Sequence, residues 1–226
     1  MKKNGTSRRA KKFRVGFCVS GGGRLFRAAA RQAAALGIEP ALVVAEPSAS
    51  PELESFCAGL KIPFVRLPQL PRAEFDAVLF QHCAGAKLDL LMLTFDRIVS
   101  ARLIRHYAGR VVNVHPSLLP AFPGMRALDQ TLARGVKFAG ATLHVADEQL
   151  DHGPVVIQCV MGVRRDESAA GLGRRLFPWM RLMYLQVIAW YAEGRVTQDK
   201  RGHVVIRDAV YGELPISPAI EQGFPD

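Results

Sequence analysis

No apolar run in this chain approaches the roughly 20 residues that a membrane-spanning helix needs. The first one, Val15 to Val19, is too short for the core of a secretion signal and stops at Ser20 and three glycines. Cysteine is scarce: Cys18, Cys57, Cys83 and Cys159 stand far apart, with no paired spacing. That excludes a disulfide scaffold and a zinc knuckle, and a cytoplasmic protein without a metal is expected. Cys18 and Cys159 lie in apolar, strand-like runs and read as small core residues. Two signatures of chemistry are absent as well, the GxSxG elbow of serine hydrolases and the P-loop lysine. Acid is missing from the opening MKKNGTSRRAKKFR, which holds seven lysines and arginines. These residues supply +7 of the formal net charge of +10, so the rest of the chain carries only +3. A basic tail over 1–13, expected to be disordered, accounts for most of the excess. The near-neutral body excludes nucleic acid as the expected partner.

What is present suits one α/β domain over 14–226. Hydrophobic residues make up 49% of the 226 and charged residues 22%, an ordinary globular balance with enough chain for a sizeable core. Short β-branched runs alternate with helical patterns. Strands are expected at 14–20, 41–46, 63–67, 89–95 and 111–115. Helices are expected between them, at 24–36, 51–60, 72–85 and 97–109. This alternation implies βαβ units and a mostly parallel sheet with helices on both faces. Past residue 139 the pattern changes. Two strands, expected to pair antiparallel, flank the turn QLDHG. A helix over 167–194 follows, with a break or kink expected at Pro178. A β-hairpin across Lys200–Gly202 ends the pattern. Ligands of parallel sheets bind at the carboxyl ends of strands. Ser20, Phe95 and His115 fall there.

Several stretches could carry chemistry. SGGGR (20–24) follows a strand and opens a helix, which suits either an anion or a tight turn. The full dinucleotide fingerprint is absent, since Phe26 stands where its last glycine belongs. His82, His106 and His203 have no special setting and read as structural. His144, on a strand, reads as a core histidine or a partner of another site residue. NVHPSLLPAFPG (113–124) differs. Asn113 and His115 are i and i+2 on a strand and should share a face, and Pro116 holds His115 extended. An amide beside an imidazole suits formyl or acyl transfer, whose tetrahedral intermediate carries an oxyanion; a structural pair before a turn is the alternative. The turn DEQLDHGP offers Asp147, Glu148 and Asp151 as a carboxylate, and periodicity does not choose among them.

NVHPSLLPAFPG, then GATLH (140–144), then DHGP (151–154) resemble the folate-dependent formyltransferase family, and most closely its glycinamide ribonucleotide branch. The likeness in order and spacing covers most of 14–195. It implies a Rossmann-like fold and 10-formyltetrahydrofolate as co-substrate, with a small primary amine as acceptor and no metal. It implies a catalytic trio of Asn113, His115 and Asp151. It implies folate contacts from Arg72, Asp96, Arg97, Ile98, Val99 and Asp147, and acceptor contacts from Gly22, Gly23, Arg24 and Leu25. An assembly of two copies is compatible with it. Hydrolysis of the formyl donor and formylation of an amino sugar or hydroxylamine are the alternatives it carries. Three positions depart from the purine branch: Arg24-Leu25 where that branch has Ser-Asn, Met125–Leu128 where it is rich in histidine, and Met180 where it has glutamate.

Overall fold

A computed structural model describes residues 12–95, 97–212 and 214–225. Asp96 and nearly all of the basic tail lie outside the described residues. The elements run β1 (Phe13–Val19), α1 (Arg24–Arg31), β2 (Ile38–Ala45), α2 (Glu52–Gly59), β3 (Phe64–Arg66), α3 (Arg72–Gly85), β4 (Leu90–Thr94), α4 (Ala101–His106) and β5 (Val111–His115). Then follow α5 (Ala127–Ala133), β6 (Phe138–Val145), β7 (Val155–Gly162), α6 (Ala169–Ala192), β8 (Val196–Gln198), β9 (Val204–Ile206) and β10 (Ile216–Ser217).

One sheet is ordered β10-β7-β6-β5-β4-β1-β2-β3. Strands β1 to β5 pair in parallel, and β6, β7 and β10 extend the sheet antiparallel. The parallel strands are apolar on both faces, as a doubly covered sheet requires. Val15, Phe17 and Val19 of β1 join a core with α1, α2 and α6, while Cys18 faces a second core with α3 and α4. In β4, Leu90 and Met92 face the first core, and Leu91 and Leu93 the second.

The expected order of elements through β5 is the order found, with displaced ends. Strand β2 starts at Ile38 rather than residue 41. Pro40 lacks a ladder donor, and a register shift between Val15 and Gly16 absorbs it. The helix expected over 24–36 ends at Arg31; the alanines beyond it form turns that stop at Gly37, φ 66°. The helix expected from 97 starts at Ala101, because the Ser100 hydroxyl accepts from Leu103 N–H and caps it there. Helix α6 runs through Pro178 without a break. Its Met183–Tyr191 stretch is buried all round, between the sheet and the C-terminal segment, whose Glu221 N–H donates to Gln186 Oε1. The expected terminal hairpin is the separate β8–β9 pair.

The order of the parallel strands reverses between β1 and β4, which opens a crevice at their carboxyl ends. The chain that follows β5 and the turn between β6 and β7 fold over the same end of the sheet.

Candidate active site

Strand β5 delivers Asn113 and His115 to one face, as the two-residue period requires. Their common neighbour is Asp151. Asn113 Nδ2 donates to Asp151 Oδ1 at 3.3 Å, and His115 Nδ1 lies 3.3 Å from Asp151 Oδ2. The second ring nitrogen of His115 lies 2.8 Å from the Phe122 carbonyl, which can only accept. A ring with hydrogen on both nitrogens therefore meets an acceptor at each.

The turn between β6 and β7 chooses the carboxylate that periodicity left open. Asp151 adopts a left-handed backbone, φ 54°, a conformation that costs a non-glycine residue roughly 1–2 kcal/mol. Gly153 makes the turn fit: a Cβ there would stand 1.8 Å from the Val145 carbonyl oxygen. Asp151 is turned inward and buried, while Asp147 and Glu148 stay near the surface.

Burial by itself pushes the Asp151 carboxyl up. The neighbouring His144 ring, the Gly124 N–H at 2.7 Å and the His115 ring outweigh it, so the carboxyl lies below its ordinary value. His144, a core histidine or a site partner by sequence, belongs to this cluster. Its Nε2 is 3.2 Å from Asn113 Nδ2 and 3.6 Å from Asp151 Oδ1. With a hydrogen, that nitrogen points it at the carboxylate; without one, it accepts from the amide. Strand pairing sets this, since Asn113 and His144 are direct partners across β5 and β6.

The proline-rich loop after His115 is stitched to the sheet by one buried hydroxyl. Thr142 Oγ1 donates to Ser117 O at 2.7 Å and accepts from Leu119 N and Gln158 Nε2 at 3.1 and 2.9 Å. Ser117 Oγ donates to Ala121 O inside the loop. The carbonyl of Phe122 and the N–H of Gly124 are thereby held against His115 and Asp151. Sequence reasoning missed both, because backbone groups leave no mark in residue type.

Asn113, His115, Gly124, His144 and Asp151 line one wall of a cavity of about 570 Å³, a size suited to a small molecule. Arg97, Ile98, Val99 and Asp147 line it as well. Met125–Asp129 and the start of α6, Ala169 and Ala170, form another lip. Arg72 stands off the wall, exposed at the start of α3, where its charge acts on Asp76. Gly22, Gly23, Arg24 and Leu25 stand off it too. They form the turn into α1: Gly23 is left-handed, φ 59°, and Gly22 O accepts from Arg27 Nε. Leu25 packs on the core, and the Arg24 guanidinium lies 3.5 Å from the centre of the Phe177 ring.

An amide, an imidazole and a carboxylate on one cavity wall can stabilise an oxyanion and relay a proton. Residues 13–188, which include all of them, match the formyl transferase family model. The chain belongs to that family. It is 33% identical over 199 residues to the phosphoribosylglycinamide formyltransferase of Mycobacterium tuberculosis, covering 86% of this chain and 92% of that one. The Escherichia coli enzyme of the same name is 35% identical over 126 residues, 55% of this chain and 59% of that one. This chain thus spans less than two thirds of that relative's length. Glycinamide ribonucleotide transformylase 1 of Symbiobacterium toebii has a similar structure, with a TM-score of 0.80 and 28% identity over 87% of this chain and 95% of that one.

Proposed function

We propose that this family member transfers a formyl group from 10-formyltetrahydrofolate to a primary amine, glycinamide ribonucleotide or a related small molecule. The observation that carries the reading is the Asp151 carboxylate bridging the Asn113 amide and the His115 ring at a cavity wall. The neutral amine attacks the formyl carbon and forms a C–N bond. The carbonyl π pair moves onto oxygen, and Asn113 N–H and protonated His115 stabilise that oxyanion. Collapse breaks the bond to the folate nitrogen, and the proton lost by the amine ends on that nitrogen, directly or through water. Asp151 keeps His115 oriented through its Nδ1. In the free site the Asn113 N–H groups and His115 Nε2 are held by Asp151, His144 and Phe122 O. Substrate must exchange with part of that network, which is common for unliganded sites.

In this reading Arg97, Ile98, Val99 and Asp147 hold the folate, together with Asp96. Arg72 and the Gly22–Leu25 turn, off the wall described above, contribute only if the cavity extends towards them when ligands bind. The reaction belongs to cytoplasmic one-carbon metabolism, serving purine synthesis if glycinamide ribonucleotide is the acceptor. The test is a screen of primary amines with 10-formyltetrahydrofolate, read by absorbance of the deformylated folate. Amine-dependent release supports transfer. Equal release without any amine replaces transfer by hydrolysis, and no release under either condition removes both.

A further inference from the structure

The floor of the site is built from bonded, buried groups, and the Met125–Asp129 lip is built differently. Met125 is 64% exposed, and the Arg126 side chain is 78% exposed. Both line the cavity. Arg126 is not there by the drift of a loose loop. Its backbone is left-handed, φ 59° and ψ 38°, and neighbouring groups hold it so. Gln130 Nε2 donates to the carbonyls of Pro123 and Met125 at 3.1 and 2.9 Å, and Gln130 N–H donates to Arg126 O at 3.0 Å. Two residues earlier, Gly124 N–H is bonded to Asp151. The Arg126 Cα therefore lies within about 7 Å of the Gly124 Cα, by chain geometry alone.

The guanidinium is poorly used by the protein. Its Nε is 3.3 Å from Asp129 Oδ2, a single-point contact with a half-exposed partner. Such exposed pairs contribute little and are easily exchanged. Among the described residues, no hydrogen-bond partner meets its two Nη groups. The other arginine on the cavity wall, Arg97, lies 4.7 Å from the Phe75 ring centre, on the side formed by the chain after β4. On the lip beside Met125, Ala127, Leu128, Ala169 and Ala170, Arg126 is the only cation among the described residues. A planar fork with free donors, carried on a braced backbone at the lip of the cavity, fits a carboxylate or phosphate.

We infer that Arg126 is a specificity residue that binds an anionic group on the acceptor amine, displacing Asp129 from its side chain. This rests on the formyl-transfer reading for the word acceptor, and its test does not depend on turnover. Binding of glycinamide ribonucleotide and of its dephosphorylated riboside would be measured by calorimetry on the full chain, wild type against Arg126→Met and Arg126→Lys. The expected result is that the wild type prefers the phosphate-bearing probe and that Arg126→Met weakens its binding at least tenfold. The riboside should bind both proteins alike. Arg126→Lys should fall between, because it keeps the charge and loses the fork. A glycine-derived amine carrying a carboxylate in place of the ribose phosphate separates the two anion sources by the same measurement. Equal binding of the ribonucleotide and the carboxylate probe to wild type and Arg126→Met overturns the inference, as does failure of the wild type to bind either anionic probe more tightly than the riboside. Formyl transfer, assayed separately, can fail while this binding difference stands.

Discussion

The floor and the rim of this cavity obey different physics. On the floor Asn113, His115, His144 and Asp151 are buried or half-buried and joined by contacts of 3.2–3.6 Å. On the rim Ile98, Met125 and Leu150 are 47%, 64% and 53% exposed. The floor is over-determined: changing one group strands another in a low-dielectric setting. The rim is under-determined, so it can change without unsettling the chemistry. Of the positions expected to depart from the purine branch, Met125–Leu128 lie along this rim, while Arg24, Leu25 and Met180 stand off the cavity wall.

The largest expected effect lies on the floor. Asp151→Asn keeps the shape and removes the charge facing His115. Turnover should fall by about 10⁴-fold, the scale seen when the carboxylate of a histidine pair becomes an amide, while folate binding measured by fluorescence stays close to wild type. Near-normal turnover would break the contrast between floor and rim. Next comes Gly153→Ala. Its new methyl meets backbone, the Val145 carbonyl, rather than a movable side chain. The turn must shift, Asp151 with it, and a displacement near 1 Å costs roughly a hundredfold in rate. The melting temperature should fall together with the rate; a fall in rate alone would mean that the strain is not carried by the turn.

A smaller effect concerns acid. The Asp151 carboxyl is held below its ordinary value in the fold. Its stabilising contribution is complete above the unfolded carboxyl value, about 3.9, and is lost as pH falls through the lower folded value. Urea midpoints of the wild type should drop below about pH 4, and Asp151→Asn should remove its share of that slope. An unchanged slope would mean that Glu167, Asp199 and Glu221, also held low by their partners, carry all of it. The smallest effect belongs to the rim. Met125→Ala should leave stability within about 0.5 kcal/mol, as for an ordinary surface position. A cooperative loss of folding there would show that the lip is structural after all.

Much of this was legible in the residues. The strand over 111–115 and the helix over 72–85 have the expected bounds, because their periodicity is clean and glycine or proline flanks them. The shared face of Asn113 and His115 follows from the period of a strand. The choice of Asp151 did not follow from pattern; it depends on a left-handed turn that only Gly153 makes room for, a contact distant in sequence from Val145 by eight positions. Helix α5 and strand β10 were not anticipated. The first has seven residues and the second two, too short for periodicity to register. His144 joins the site through the β5–β6 register, which no local pattern encodes.

One peptide bond separates the two regimes. Gly124 N–H is the last group on the loop that touches the Asp151 carboxylate, and the residues after it carry the lip. The chain is thus modular at that point. Met125 and Arg126 are the two lip positions open to exchange, with the Gly124 bond on one side and the buried Ala127 on the other to seat whatever stands there.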